Sequence, residues 1–347
     1  MVAALLFRSF AHLIVVPFPS SYARLNGSWC PLAISLAVSL GFNGLWQNCH
    51  WQMRSGPWNA GCENEVSMQY SDSDLKKLQR LELRILKDVD RVCGELGLTY
   101  FLDSGTVLGA LRHGGFIPWD DDIDIGMPRD DYDRFMVEAP MLLGEEYVVS
   151  TPEVNPNQAP LFGKVWLRGT RFATAETVEA GFDPGIFVDV FPYDALSRDS
   201  AIAAKQRRSC RFWQSVSYLA HAKSIVVPHE GALGAVERAA CGVTHLIARG
   251  LFSRDKLLER FNEAATCSND PEHASDDLIV MAYASYGPYN RSMMLPTSVV
   301  SFEGIEFPAP HDPEAYLEQL YGNWHELPPV DKRRNHAPIE LDFGPYA

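Results

Sequence analysis

Four aspartates fall within five positions of this chain, Asp120, Asp121, Asp122 and Asp124, and Ile123, Ile125 and Met127 alternate with the last of them. As a strand, the segment puts Asp120, Asp122 and Asp124 on one face and the apolar residues on the other. The apolar face needs a core, so the acidic face lines a cleft. Carboxylates this close repel one another unless a proton or a cation lies between them. Their hard oxygens suit Mg²⁺ or Mn²⁺ better than zinc. An acidic solvated turn is the ordinary reading of such a run, but the Ile-x-Ile backing weighs against it. An EF-hand loop starting at Asp120 needs Gly at its sixth position and Glu at its twelfth, where the chain has Ile125 and Asp131. A glycosyltransferase Asp-x-Asp site at Asp122 and Asp124 stays open.

The upstream residues narrow the choice. Residues 98–102 read as a short buried strand, Ser104-Gly105-Thr106 as a small-residue turn, and residues 107–112 as a helix. A strand, glycine–hydroxyl turn and helix start present backbone N–H groups to an anion, normally phosphate. A phosphate turn followed by a two-carboxylate strand is the order of the nucleotidyltransferase superfamily. The fold class is α/β (α+β), a mixed sheet flanked by helices.

The run GTVLGALRHGGFIPWDDDIDIGMPRDDYDRF resembles the signature of the LicD family, which includes phosphocholine transferases and fukutin-related proteins. Three further segments match in order: Phe162-Gly163-Lys164-Val165, Gly185 through Asp189 to Asp194, and Tyr321-Gly322 through Leu327-Pro328-Pro329 to His336. The resemblance covers roughly residues 72–343. It implies a CDP-alcohol donor such as CDP-choline or CDP-ribitol, a glycan hydroxyl as acceptor, and release of CMP. It also implies Mg²⁺ or Mn²⁺ held by Asp122, Asp124 and a third carboxylate on a later strand, Asp189. That residue is the only charge in an apolar strand, and an isolated buried carboxylate is costly without a partner. Asp189 doubles as the base for the acceptor hydroxyl. Gly105 and Thr106 orient the phosphates, and Lys164 contacts one of them. Arg333 and His336, in a tail that folds back to the site, complete the substrate contacts. A noncatalytic scaffold on the same fold is the reading from a different class. Retention of all three candidate metal ligands argues against it.

Composition limits the partners. A formal charge of −14 over 347 residues disfavours nucleic acid, whose backbone needs a basic surface. The seven cysteines show no zinc spacing. Residues 1–70 form a separate leader. No charged side chain occurs between Arg24 and Arg54, and residues 31–46 (PLAISLAVSLGFNGLW) suit a signal-anchor, slightly short of the roughly 20 residues that span a bilayer. With Arg8 and Arg24 preceding it, the positive-inside rule leaves the C-terminal bulk outside the cytosol, as in a type II Golgi protein. A cleaved signal or a disordered leader are the alternatives.

The catalytic domain then runs over 71–347. Residues 71–97 repeat apolar side chains at helical spacing between Ser71 and Gly97, and this helix is assigned packing and no chemistry. Asp194, beyond Pro192, is read as the cap of the next segment. Residues 198–265 form a helical insertion with helices near 205–222, 233–249 and 254–265. A hairpin about Glu303-Gly304 and a helix over 312–321 precede the tail.

Overall fold

In a computed structural model the described residues are 70–223, 231–330, 333, 335–336 and 338–347. The leader, its signal-anchor and the break before the second insertion helix lie outside them. No helix among the described residues is long and apolar enough to cross a membrane.

The apolar repeat becomes α1 (Asp72–Leu96). Ser71 caps it by accepting the Asp74 N–H, and Gly97 ends it in the left-handed region at φ 64°. Its buried stripe includes Leu78, Ile85, Leu86, Val89 and Val92, and it packs against β4 and β6 of the sheet. Next come β1 (Phe101–Leu102) and α2 (Ser104–His113), which begins three residues earlier than the sequence suggests. Asp103 explains the difference, because its carboxylate caps the helix by accepting the Ser104 N–H.

β2 (Asp124–Pro128), α3 (Arg129–Leu143), β3 (Tyr147–Ser150), β4 (Gly163–Leu167), β5 (Arg171–Ala173) and the short α4 (Ala175–Ala180) follow. β6 (Phe187–Ser197) is the longest strand and is buried throughout. It runs through Pro192 and Asp194, which corrects the reading of Asp194 as a cap. Asp194 is fully buried and accepts two hydrogen bonds from Arg129, at 2.8 and 2.7 Å. With that charge paired and bonded also by Asn269, the strand can carry a carboxylate into the core.

The insertion is three helices: α5 (Ser200–His221), α6 (Gly231–Leu251) and α7 (Arg254–Thr266). β7 (Ala274–Val280), β8 (Tyr289–Asn290) and the single turn α8 (Arg291–Met294) lead to the hairpin of β9 (Ser298–Phe302) and β10 (Ile305–Ala309). Its turn residues Glu303 and Gly304 both have positive φ, 53° and 76°, the conformation a tight hairpin turn needs. α9 (Pro313–Tyr321) and β11 (Glu340–Asp342) close the chain.

The main sheet has seven strands in the order β1-β2-β6-β4-β3, and β7 extends it by pairing with β6, and β8 with β7. β2 and β6 are parallel, and the other pairs in this sheet are antiparallel. Placing β6 beside both β2 and β4 is what assembles the site.

Candidate active site

The register sets the geometry. Asp124 on β2 is paired with Asp189 on β6, and Asp189 is paired with Lys164 on β4. Residues in register project to the same face, so these three charged side chains form one row across three strands. Lys164 Nζ lies 2.5 Å from Asp189 Oδ1 with both side chains nearly buried, and 3.6 Å from the centre of the Phe187 ring. The backbone beneath is held tightly. The Asp124 N–H donates to the Thr106 hydroxyl at 2.8 Å, and the Asp103 N–H donates to the Asp124 carbonyl at 3.0 Å. The Asp189 N–H donates to the Ile123 carbonyl at 2.9 Å.

The acidic run is not one alternating strand. β2 begins at Asp124, and residues 120–123 lead into it irregularly. Asp121 accounts for the departure, because its fully buried carboxylate accepts the Tyr70 hydroxyl at 2.7 Å and the His336 N–H at 2.8 Å. His336 Nδ1 is 3.1 Å from the same carboxylate and 3.7 Å from Asp122.

Burial lifts the Asp122 carboxyl to about 6, opposed by His336 and reinforced by Asp121 and Asp189. Asp124 and Asp120 are pushed well above the carboxylate range by burial and by their acidic neighbours. Burial raises Asp189 too, with Lys164 opposing the rise. Asp121 alone is lowered: burial would raise it, but the hydrogen bonds and charge of His336 prevail.

Residues 97–212, which hold this row, match the model of the LicD/FKTN/FKRP nucleotidyltransferase domain. Over those residues the chain is similar to the LicD family. The lipopolysaccharide cholinephosphotransferase LicD of Haemophilus influenzae is 28% identical over 275 residues, 76% of this chain and 95% of that protein. The human ribitol 5-phosphate transferase FKRP is 47% identical over 53 residues, only 14% of this chain and 11% of its own length.

A divalent cation fits the residues of the LicD domain. Asp122, Asp124 and Asp189 offer only oxygen; burial raises the proton affinity of all three, and acidic neighbours add to it at Asp122 and Asp124, a charge cost that a cation would relieve. A further buried carboxyl supports the fit. Glu82 of α1 is fully buried, neither of its oxygens has a hydrogen-bond partner, and its electrostatic neighbours are Asp122, Asp121, Asp120 and His336. Among the described residues, the ligand atoms that come within 4.8 Å of one another are those of Asp121, Asp122 and His336, a group that shares only Asp122 with the set expected from the sequence.

Four other sequence candidates take definite positions. Gly105 has no side chain where one would stand 3.1 Å from Asp120 Oδ2, so it lets that carboxylate close over the turn. Thr106 spends its hydroxyl oxygen on the Asp124 backbone. His336 comes beside Asp121 and Asp122, as the folded-back tail requires. Arg333 does not join the row: its guanidinium stacks 4.3 Å from the Trp119 ring and donates to the Pro328 carbonyl.

Sequence reasoning missed Glu82, Asp121 and Asp103. Glu82 left a legible signal, because it occupies a position of the α1 apolar stripe, four residues from both Leu78 and Leu86. A charge there needs a reason, and assigning α1 to packing alone was too narrow. Asp121 and Asp103 left no such signal, since their partners are 51 and 213 residues away.

Proposed function

We propose that this LicD-family protein moves a phospho-alcohol from a CDP-activated donor to a glycan hydroxyl and releases CMP. The chain is a phosphotransferase of the LicD/nucleotidyltransferase type. The observation that carries this reading is the buried row Asp124–Asp189–Lys164, with Asp122 beside it, inside the matched domain. Mg²⁺ or Mn²⁺ held by Asp122, Asp124 and Asp189 would supply charge neutralisation at the phosphoryl oxygens.

The protein's own groups do the rest. The acceptor oxygen forms a bond to the phosphorus bearing the alcohol, and the bond from that phosphorus to the bridging oxygen breaks, its electron pair leaving with CMP. The hydroxyl proton passes to Asp189, whose pKa is raised by burial and which is therefore a better acceptor than an exposed aspartate. Lys164 orients Asp189 and has further N–H donors for a phosphate oxygen. The N–H groups of Ser104, Thr106 and Val107 are taken by Asp103, which leaves that of Gly105 to face a phosphate at the start of α2. The acceptor is a glycan or glycoconjugate, by analogy with the relatives' printed activities.

The test is nucleotide release from a panel of CDP-alcohols and UDP-sugars with and without divalent metal. Metal-dependent CMP release, accelerated by a glycan, is the expected result. Release of UDP with transfer of the sugar would replace this reading by a glycosyltransferase. Asp122→Asn and Asp189→Asn should each abolish turnover, and Asp189→Asn should retain donor binding better, because a base acts mainly in the transition state.

For location, we propose a lumenal domain tethered through residues 31–46, on the strength of the uncharged stretch between Arg24 and Arg54. Asn290 of the Asn-Arg-Ser sequon is exposed. Expressed in a eukaryotic cell, the protein should carry a glycan at Asn290 and none at Asn26. The reverse pattern would invert the topology.

A further inference from the structure

Arg112, in the last turn of α2, donates through Nη1 to the Trp324 carbonyl at 2.8 Å and to the Glu326 carbonyl at 3.3 Å. Arg333 donates through Nε to the Pro328 carbonyl at 3.3 Å, so the loop of residues 324–328 holds both guanidiniums. Two rings link them on the other side. The Arg333 guanidinium lies 4.3 Å from the centre of the Trp119 ring, and the His113 ring stands edge to face with Trp119 at 6.4 Å. His113 Nε2 then accepts from Arg112 Nε at 3.1 Å. Among the described residues neither arginine forms an ion pair with an aspartate or a glutamate. In a chain with a formal charge of −14, these two cations are brought together without an anion.

That arrangement costs free energy. Burial holds Arg112 below its ordinary value, Tyr321 and Asp120 oppose the fall, and the like charge of Arg333 adds to it. The ordinary role of such arginines, clamping a loop by its carbonyls, accounts for only part of each fork. Arg112 Nη2 and both Nη atoms of Arg333 remain free to donate. Burial, Arg112 and Arg333 lower His113, so its ring is uncharged at neutral pH. Because Nε2 accepts from Arg112, the proton is on Nδ1, a further donor. Both arginines are half-buried and His113 is exposed, so a solute reaches them. Planar N–H donors with no acceptor among them suit a phosphate or a carboxylate. The chain also ties this set to the carboxylates. Trp119 is three residues before Asp122, and Arg333 is three before His336, whose Nδ1 lies 3.7 Å from Asp122. Three residues span at most about 11 Å. A glycan with one hydroxyl at the carboxylates therefore places a nearby substituent at the arginines.

We propose that Arg112 and Arg333, with His113, form an anion subsite for the acceptor, so that the glycan taken is an acidic one, bearing a phosphate or a carboxylate near the hydroxyl that is modified. The inference rests on the phospho-alcohol transfer argued above and names the class of its acceptor. The donor's phosphates fall to the carboxylate row, Lys164 and the Gly105 N–H. The arginines hold the other substrate by its charged substituent.

The test has a binding arm and a kinetic arm, both on the full chain. In chelator, which keeps phosphate from bridging a cation at the carboxylates, binding of methyl glucoside, its phosphate monoester and methyl glucuronide is followed by ligand-observed NMR. The two anionic glycosides should bind and the neutral one should not. Arg112→Gln and Arg333→Gln should each weaken that binding by about tenfold. Arg333→Gln removes a single carbonyl bond and should leave the melting temperature near wild type. If Arg112→Gln melts lower, Arg112→Lys keeps the charge without the fork and should bind with intermediate affinity. In the kinetic arm, with Mn²⁺ and a panel of CDP-alcohols, CMP release is accelerated by a disaccharide with or without a phosphate monoester. The phosphorylated acceptor should have a KM lower by about tenfold or more, an advantage that Arg333→Gln loses while the donor KM moves by less than about twofold. A rise in donor KM instead would give the arginines to the donor and overturn the acceptor subsite. Equal binding of neutral and anionic glycosides, or binding indifferent to both glutamine variants, would overturn the anion subsite and leave phospho-alcohol transfer standing. No turnover of any CDP-alcohol would overturn the transfer and, with it, the acceptor role of the arginines.

Discussion

At the residue scale, the protein stores acidic groups that oppose its own stability. Burial raises Asp122 to about 6, against about 3.9 for an unfolded aspartate. Between those values the folded state binds more protons than the unfolded state. Stability from this group is therefore full below about pH 4 and is lost as the pH rises through about 6. In metal-free buffer, Asp122→Asn should match the wild type below pH 4 and be more stable above pH 6, by up to about 3 kcal/mol. Urea unfolding with chelator across pH 3.5–7.5 measures this; a wild-type stability that rises over the same window relative to the variant would contradict it. Glu82 gives a second prediction at this scale. Glu82→Gln removes a buried charge site without changing shape, so the metal-free protein should melt no lower than wild type. If Glu82 helps to hold the cation, the rise in melting temperature on adding Mn²⁺ should shrink in the variant. An undiminished rise would confine Glu82 to the empty site.

At the scale of elements, the meeting of β1, β2 and β6 depends on Gly126. A Cβ there would stand 2.4 Å from the Phe101 ring and 2.6 Å from the Tyr193 ring, which cross edge to face above it. Gly126→Ala should therefore cost about 1–3 kcal/mol by overpacking, measured by denaturant unfolding. The Arg129–Asp194 pair joins α3 to β6, with Asp194 fully buried. Arg129→Ala leaves that carboxylate without its main partner and should cost about 3–5 kcal/mol. A loss under 1 kcal/mol would show that Asn269 alone satisfies Asp194. The ends of most of these elements were legible in sequence. Ser71, Gly97, Pro313 and the Glu303-Gly304 turn are local devices, and local devices act on neighbours that the chain itself supplies. β6 was the exception, read too short because Pro192 and Asp194 ordinarily end a strand. Its continuation depends on Arg129, 65 residues away.

At the scale of the whole molecule, both ends of the catalytic unit meet on one carboxylate. Tyr70 precedes α1 and His336 belongs to the tail, yet both bond Asp121. β11 secures the tail further by pairing with β5. Asp121→Asn should loosen this closure without removing a residue of the Asp124–Asp189–Lys164 row. Hydrogen exchange at the His336 amide should quicken by about tenfold or more, the equivalent of roughly 1.4 kcal/mol. Unchanged exchange there would mean that the β11 pairing alone holds the tail. The sequence by itself determined the acidic run, the helices with their caps, the lone charge at Asp189 and the LicD resemblance, because each is carried by residue type and short-range spacing. Only the tertiary structure decided that Asp189 pairs Lys164, that Asp121 binds the tail while its neighbour Asp122 faces the row, and that Glu82 stands beneath them. Register between distant strands sets those distances, and register is a property of which strands become neighbours, which no local stretch of chain encodes.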